Sequence, residues 1–417
     1  MLDICFYAIT ALLTIYGVYL GITGILAFKK LRSPMYKKHS PKNRFAIIIP
    51  ARNEEFVIKH LLDSIKNQDY PNELYETFVI PNNCTDNTKE VAIQSGAKVL
   101  NCKKTIKNKG DVLRVAFQKL RKNKNIDAYI IFDADNIVHH EFLQKMNDVL
   151  CEGYEVAQGN RDSKNPHDNW ISSSFSIYFW IQNFFYNRSR MFMKGSATIS
   201  GTGFMVKKSV IDEDGFDTSS LTEDLEFTIQ CALNGRDIAY VEDAITFDEQ
   251  TSNFWHSIHQ RSRWTSGSYQ CLKKCGVDLV KQLFLKRKIV FFDLLIRFIA
   301  PFVQILTLPL SILGIYKTMQ LINFDTLGAS VLIALGSTLM STIPTWLINI
   351  FISAYYKQLK PSKIMHGIIL FPIFMLTWLP INIKCIFAEE STWKEIKHSR
   401  NIDIQELINK KRRVLSK

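Results

Sequence analysis

Closely spaced cysteines are absent from this 417-residue sequence. Its eight cysteines include no C-x-x-C pair and occur singly, apart from Cys271 and Cys275, which are one helical turn apart. Structural zinc sites and small disulfide scaffolds both need regular, closely spaced cysteines. We therefore interpret the cysteines as free thiols. With 47% hydrophobic and 12% aromatic residues, the chain is also too apolar for a disordered or collagen-like protein.

Glycine-rich phosphate loops are absent as well. No G-x-G-x-x-G follows the first predicted strand, and the sequence contains no G-x-x-x-x-G-K-[ST]. Dinucleotide-binding and P-loop proteins need these backbone cradles. No Ser/His/Asp or Cys/His arrangement indicates a covalent nucleophile. These absences exclude several large enzyme classes.

Acidic residues are scarce outside residues 45–250. The whole chain has 52 Lys+Arg and 39 Asp+Glu, a net charge of +13. Residues 45–250 hold 23 basic and 30 acidic side chains, whereas the rest hold 29 and 9. Because the central domain is acidic, we exclude nucleic acid as its partner. The basic segments around it predict contact with an anionic lipid bilayer.

Charge is missing from residues 4–28, which are long enough to cross a hydrocarbon core of ~30 Å. Seven basic and no acidic residues follow in 29–44. A signal peptide would have a shorter apolar stretch and a basic leading region. We predict a retained anchor at 1–30 and a basic linker at 31–44. The positive-inside bias then places the following domain in the cytosol.

Three more apolar stretches, 299–316, 328–354 and 364–387, lie in the predicted membrane region 291–390. Three spans would put the basic tail, 391–417, outside, against the positive-inside bias. The stretch 364–387 is interrupted by prolines and is the candidate for an interfacial or re-entrant segment. The sequence leaves two or three spans open.

Strand and helix patterns alternate in the domain 45–250, which predicts an α/β fold with a largely parallel sheet. Four apolar runs predict strands at 45–50, 77–81, 97–102 and 127–136. Ligands of such sheets bind beyond the carboxyl ends of the strands. The polar segments 50–54, 81–83 and 133–136 follow three of these runs. The sequence therefore predicts a site at that edge.

Two acidic motifs are candidates for chemistry. Asp133 and Asp135 directly follow a buried strand, and their carboxylates suit Mg²⁺ or Mn²⁺, although a capping turn is the alternative. Thr222-Glu223-Asp224 precedes an amphipathic helix. Taken alone, these residues favour a helix N-cap, and the alternative is a general base at Asp224.

A third motif, Gln260-Arg261-Ser262-Arg263-Trp264, lies in a segment rich in aromatic and basic residues. We interpret 251–290 as amphipathic helices on the membrane surface. That interpretation does not explain why Gln260, Arg263 and Trp264 occur together.

The motifs PARNEE, NNCTDNT, NKGD, DAD, TED and QRSRW occur in this order. The combination, flanked by membrane helices, resembles the family 2 glycosyltransferases. It is most similar to the processive membrane synthases of hyaluronan, chitin, cellulose and poly-N-acetylglucosamine. The resemblance covers about residues 45–270. It implies a GT-A (Rossmann-like) nucleotide-sugar domain with N- and C-terminal transmembrane helices, in a multi-pass cell-membrane protein.

The resemblance also implies roles for individual residues. The uridine would be held by Pro50, Arg52, Glu54 and the turn from Asn82 to Asp86. The nucleotide would be approached by Lys109, and ribose, diphosphate and metal would be faced by Asp133 and Asp135. The base would be Asp224; acceptor and diphosphate would be bound by Glu223, Gln260, Arg263 and Trp264. The family's D-D-G-S-T-D stretch appears here as Pro81–Asp86, with proline and an amide replacing two carboxylates.

The implied function is inverting transfer of a sugar from a UDP-sugar to a growing β-linked polysaccharide, with Mg²⁺ or Mn²⁺. One alternative is transfer of a single sugar to a lipid acceptor, and a second is a non-catalytic membrane scaffold. The sequence does not specify the sugar, the linkage or whether an accessory membrane subunit assists export.

Overall fold

The computed structural model describes residues 2–29, 35–102, 106, 108–193, 195–286, 288–322 and 327–388. The predicted tail, 391–417, lies outside these residues. Eight strands form one sheet: β1 (Phe45–Ala51), β2 (Tyr75–Pro81), β3 (Lys98–Val99), β4 (Ala128–Ile131), β5 (Ile137–Val138), β6 (Val156–Ser163), β7 (Phe204–Lys207) and β8 (Ile238–Asp248).

The strand order is β3-β2-β1-β4-β7-β6-β8-β5. The four predicted strands are β1 to β4, and they pair in parallel. The prediction of a largely parallel sheet is wrong at β7, which runs antiparallel to both β4 and β6, and at β5, which runs antiparallel to β8, whereas β6 and β8 pair in parallel. These strands escaped prediction in part because β6 is buried yet polar, with the sequence VAQGNRDS. Apolar periodicity is therefore missing from it.

Helices cover both faces of the sheet and continue beyond it. They are α1 (Leu2–Ile25), α2 (Ile58–Lys66), α3 (Thr88–Gln94), α4 (Lys109–Leu120), α5 (Phe142–Cys151), α6 (Trp170–Ile181), α7 (Lys208–Asp214), α8 (Glu223–Leu233), α9 (Phe254–Lys286), α10 (Ile289–Ile322), α11 (Leu327–Phe351), α12 (Met365–Leu376) and α13 (Trp378–Phe387). One π-helical turn extends α6 through Arg188, and another extends α11 through Tyr356. The predicted alternation of strands and helices is confirmed.

Strand β1 shows why its sequence is continuously apolar. Ile47 and Ile49 belong to the apolar cluster on one face of the sheet, and Ala46 and Ile48 to the cluster on the other. Successive side chains of a strand point to opposite faces, so a strand covered on both sides needs apolar residues throughout. This double burial fixes the strand ends that form the site.

Three segments in the described part of the chain are long and apolar enough to cross a membrane: Leu2–Phe28, Ile289–Gln320 and Pro361–Phe387. The first two are α1 with its last turn and most of α10. Tyr19 of α1 donates a 2.6 Å hydrogen bond to Asp293 of α10. The third is divided at Thr377 into α12 and α13.

Candidate active site

A cavity of about 620 Å³ opens at the carboxyl ends of β1, β2 and β4, under the start of α8 and one side of α9. Nearly all of the predicted site residues line it. They are Pro50, Arg52, Glu54, Asn82, Lys109, Asp133, Asp135, Glu223, Asp224, Gln260, Arg263 and Trp264. The fold therefore brings together six motifs that are far apart in sequence.

The loops after β1 and β2 are tied to each other behind the cavity. Asn53 has φ 57° and Asn83 φ 50°, in the left-handed region that asparagine tolerates better than most residues. Asn53 accepts a 2.8 Å hydrogen bond from the backbone of Thr85. Asp86 is absent from the cavity lining; its carboxylate accepts from the backbone of Glu55 at 3.1 Å and from Thr88 Oγ1 at 2.5 Å. Asp86 thus braces the turn, and its contact with a nucleotide stays a prediction.

The two carboxylates after β4 lie on a turn that other groups stabilise. The backbone N–H of Asp133 donates to Asn136 Oδ1 at 3.2 Å and to Thr202 Oγ1 at 3.0 Å. Asp133 is partly exposed on the cavity, whereas Asp135 is buried and accepts from the backbone of Glu249 at 3.3 Å. Asn136, rather than either aspartate, supplies the side-chain cap of this turn.

Lys109 begins α4 and lies between two acidic motifs. Its ammonium forms an ion pair with Asp133, donates to the carbonyl of Gly201 at 2.6 Å and lies 3.8 Å from Glu223 Oε1. Burial opposes the charged form, but Asp133 and Glu223 outweigh it and raise the pKa of Lys109. The ammonium therefore links the β4 turn to α8, and its approach to a nucleotide stays a prediction.

The start of α8 carries two partly buried carboxyl groups, those of Glu223 and Asp224. Thr222 occupies the N-cap position, but its side chain makes no capping hydrogen bond. Burial raises the pKa of Glu223 to about 7. Burial also raises the pKa of Asp224, against a hydrogen bond from the backbone of Leu225. A buried carboxylate with a raised pKa in a cavity is suited to accept a proton.

Helix α9 presents polar groups that have no partner in the part of the chain that the structure describes. Arg263 makes no hydrogen bond or ion pair to any described residue. Burial lowers the pKa of Arg263, while Glu223 and Asp133 act in the opposite direction. Gln260 Oε1 is also buried without a partner in the described chain. A partly buried guanidinium that has no partner among the described residues is stabilised when a ligand supplies the counter-charge.

Trp264 forms an aromatic part of the cavity wall. Its ring packs edge-on against Phe175 and Phe179 of α6, with centroids 5.9 Å apart in each case. This packing holds the indole in place, so one part of the wall is a fixed aromatic surface.

Sequence reasoning missed the cavity residues from the second half of the sheet. Arg161 of β6 forms an ion pair with Asp248 of β8 at 2.5 Å, and both line the cavity together with Ser200 and Gly201. The sequence feature that could have revealed them is the polar stretch QGNRDS, which lies where the alternation of helices and strands predicts a strand.

The acidic residues of the cavity fit a divalent cation that is shared with a ligand. Asp133 and Asp135 supply hard oxygen donors, and Mg²⁺ often binds through one or two carboxylates plus substrate phosphates. Within the described ranges no group of three or more His, Cys, Asp or Glu could hold a metal alone. The donor set therefore suits a cation that arrives with a phosphorylated ligand.

Residues 41–267, more than half of the chain, match the family model described as glycosyltransferase like family 2. The chain belongs to this family. A probable glycosyltransferase of Bacillus subtilis, YdaM, is 29% identical over 282 residues, which are 64% of this chain and 63% of that protein. A beta-monoglucosyldiacylglycerol synthase of Nostoc is 26% identical over 60% of this chain and 56% of its own length. The matches thus span less than two thirds of these relatives.

Among solved structures, the fold is similar to the mannosyltransferase PcManGT from Pyrobaculum calidifontis, solved with GDP-Man and Mn²⁺. The TM-score is 0.58 at 17% identity, covering 91% of this chain and 99% of that one. The family predicted from the motif order and the GT-A-like α/β fold are both confirmed, with a mixed rather than largely parallel sheet.

Proposed function

We propose that this family 2 protein is an inverting glycosyltransferase that moves a sugar from a nucleotide-sugar, foremost a UDP-sugar, to an acceptor at the membrane. One observation carries the proposal: a single cavity holds the Asp133 and Asp135 carboxylates, the carboxyl group of Asp224 and the guanidinium of Arg263, which has no partner among the described residues. A diphosphate supplies what Arg263 lacks, because its oxygens match the planar fork of a guanidinium.

The donor is proposed to lie along the strand ends. The nucleoside contacts Pro50, Arg52, Glu54 and Asn82, and the diphosphate extends towards Asp133 and Arg263. Asp133 and Asp135 would hold Mg²⁺ or Mn²⁺, whose chemistry is to neutralise the diphosphate as a leaving group. Lys109 keeps the Asp133 carboxylate in place through its ion pair.

The chemical step is a single displacement. Asp224 takes the proton of an acceptor hydroxyl, and the hydroxyl oxygen forms a bond to the anomeric carbon. The bond from that carbon to the diphosphate breaks, and the electron pair leaves with the nucleoside diphosphate. An α-linked donor thereby gives a β-linked product. The fixed ring of Trp264 offers a surface on which the acceptor is oriented near Asp224.

The acceptor is proposed to be a membrane lipid. Trp264 packs against α6, which in turn packs against the apolar helix α12, so the acceptor side of the cavity adjoins the membrane segments. The name of the Nostoc relative describes a β-linked glucosyl lipid as the product. A growing polysaccharide is the second candidate, because the Q-x-x-R-W element of α9 resembles that of the processive synthases.

Contacts between helices support a multi-pass arrangement, and the positive-inside bias of residues 29–44 favours a cytosolic catalytic domain. Asp3 of α1 forms an ion pair with Lys317 of α10 at 2.5 Å, and Tyr19 reaches Asp293 further along the same pair of helices. Two antiparallel helices paired in this way suit two membrane crossings. After α11, Lys357 forms an ion pair with Asp162 of β6 at 3.3 Å. Because the chain is then back at the sheet, this contact supports α11 as a third crossing.

Purified protein tests the proposal directly. A screen of radiolabelled UDP- and GDP-sugars with Mg²⁺ or Mn²⁺ is expected to give a labelled product with one donor and none in the Asp224→Asn variant. Extraction into organic solvent as one species indicates a lipid acceptor, and a ladder of lengths indicates a polymer. Absence of any donor turnover with membrane lipids present would leave the scaffold alternative in place.

A further inference from the structure

A short loop, Ser200–Gly203, lies at the centre of the site although no motif drew attention to it. The backbone N–H of Ser200 donates to Gln158 Oε1 at 2.9 Å. Thr202 Oγ1 accepts from the backbone of Asp133 at 3.0 Å. The loop therefore touches both β6 and the carboxylate-bearing turn after β4.

Gly201 is the point where this loop meets the reactive groups. Its carbonyl accepts the 2.6 Å hydrogen bond from Lys109. Its φ of +82° lies in the left-handed region, and a Cβ built on it would lie 3.4 Å from Asp224 Oδ2. The position of Gly201 thus affects Lys109 on one side and Asp224 on the other.

Arg161 holds the loop from the opposite side. Its Nη1 donates to the carbonyl of Ser200 at 3.1 Å, and its Nε and Nη2 contact Asp248 Oδ2 at 2.6 and 2.5 Å. The guanidinium also lies 4.0 Å from the centroid of the Phe179 ring. The side chain of Arg161 is only 15% exposed and contacts Ser200, Asp248 and Phe179. Its position is therefore fixed.

We infer that Arg161, oriented by Asp248, is a positioning residue that holds the Ser200–Gly201 segment against Asp224 and Lys109. The expected loss of rate rests on the proposed sugar transfer. The expected shift of the Ser200–Gly201 segment does not. Removing the guanidinium deprives the Ser200 carbonyl of a donor and leaves Asp248 buried without its counter-ion, so the segment shifts. A shift of about 1 Å in such groups costs on the order of 10²-fold in rate.

The kinetic test compares Arg161→Gln with Arg161→Lys in the full-length protein. Arg161→Gln is expected to lower kcat on the order of 10²-fold, with unchanged donor KM and unchanged UDP affinity. Arg161→Lys, which keeps the charge but not the planar fork, recovers part of the rate. A raised donor KM with unchanged kcat would make Arg161 a donor-binding residue and overturn the inference.

The control is Arg236→Gln, because Arg236 forms ion pairs with Glu155, Glu213 and Asp214 outside the cavity. This variant is expected to leave kcat unchanged.

Hydrogen–deuterium exchange separates this inference from the proposed function. Peptides that cover residues 199–204 are expected to exchange faster in Arg161→Gln and in Asp248→Asn than in wild type. Unchanged exchange in both folded variants would refute the positioning role whatever the reaction is. Faster exchange in a protein that turns over no nucleotide-sugar would refute the function and keep the positioning role.

Discussion

Gly267 of α9 lies directly against Thr222, the residue that precedes α8. A Cβ built on Gly267 would be 2.5 Å from Thr222 Oγ1 and 2.9 Å from its backbone nitrogen. Real Cβ atoms do not approach other atoms this closely. The glycine therefore allows α9, which carries Gln260, Arg263 and Trp264, to lie next to Asp224.

Substitution of Gly267 is expected to separate these two halves of the site. In Gly267→Ala the added methyl meets backbone as well as side-chain atoms, so α9 must move away from α8. We expect the transfer rate to fall on the order of 10- to 10²-fold, because misplaced groups lose orientation. Gly276→Ala on the same helix is the matched control, since its Cβ meets only the flexible side chain of Leu272. Equal activity of both variants would contradict the close-approach argument.

The proposed role of Asp224 as the base predicts how transfer depends on pH. Burial raises the pKa of Asp224 above its ordinary value, and only its ionised form accepts a proton. Activity is therefore expected to fall as pH decreases through the raised pKa, at a higher pH than an exposed aspartate would show. The measurement is kcat/KM from about pH 5 to 8. An acidic limb that is unchanged in Asp224→Glu would argue against Asp224 as its source.

Trp264 is expected to affect the acceptor more than the donor. In Trp264→Ala the aromatic wall beside α6 is lost, whereas the donor contacts at the strand ends stay. Transfer to acceptor should therefore fall more than hydrolysis of the nucleotide-sugar, when both are followed with the same labelled donor. Phe175→Leu, which alters packing behind Trp264 but keeps the indole, is the comparison. Equal loss of both activities in Trp264→Ala would exclude acceptor stacking.

The sequence predicted the first half of the sheet because Ile47, Ile48 and their neighbours are apolar on both faces of β1. The sequence also predicted a site at the ends of these strands, because polar segments follow the apolar runs there. The ion pair of Arg161 with Asp248 could not be predicted, because buried polar strands carry no periodic signal. The structure finds Arg261 of α9 fully buried. What Arg261 packs against depends on tertiary contacts that spacing does not encode.

Arg261 contacts the membrane segment whose role the sequence left open. It donates to the carbonyl of Phe374 at 3.0 Å and to Thr377 Oγ1 at 2.8 Å, at the division between α12 and α13. Near the start of α12, His366 Nε2 lies 2.9 Å from Ser173 Oγ of α6. Near the end of α13, Cys385 lies 3.4 Å from Ser266 of α9. The segment therefore contacts α6 or α9 near its start, at its middle and near its end.

This contact pattern predicts that Pro361–Phe387 lies at the membrane interface and does not cross the bilayer. Lys360 and Ala388 flank the segment and are both exposed, so Lys360→Cys and Ala388→Cys are expected to be labelled by an impermeant maleimide from the same side. Cys5 lies within α1, which is long and apolar enough to cross a membrane, so it is replaced by serine, and labelling before and after the membrane is permeabilised distinguishes the two sides. The partly exposed native thiols are replaced by serine beforehand: Cys84, Cys102, Cys151 and Cys275. If Ala388→Cys and Lys360→Cys reacted from opposite sides, the segment would be a span. Labelling of Ala388→Cys together with Lys360→Cys keeps the chain after α13 on the side of the catalytic domain, as the positive-inside bias requires.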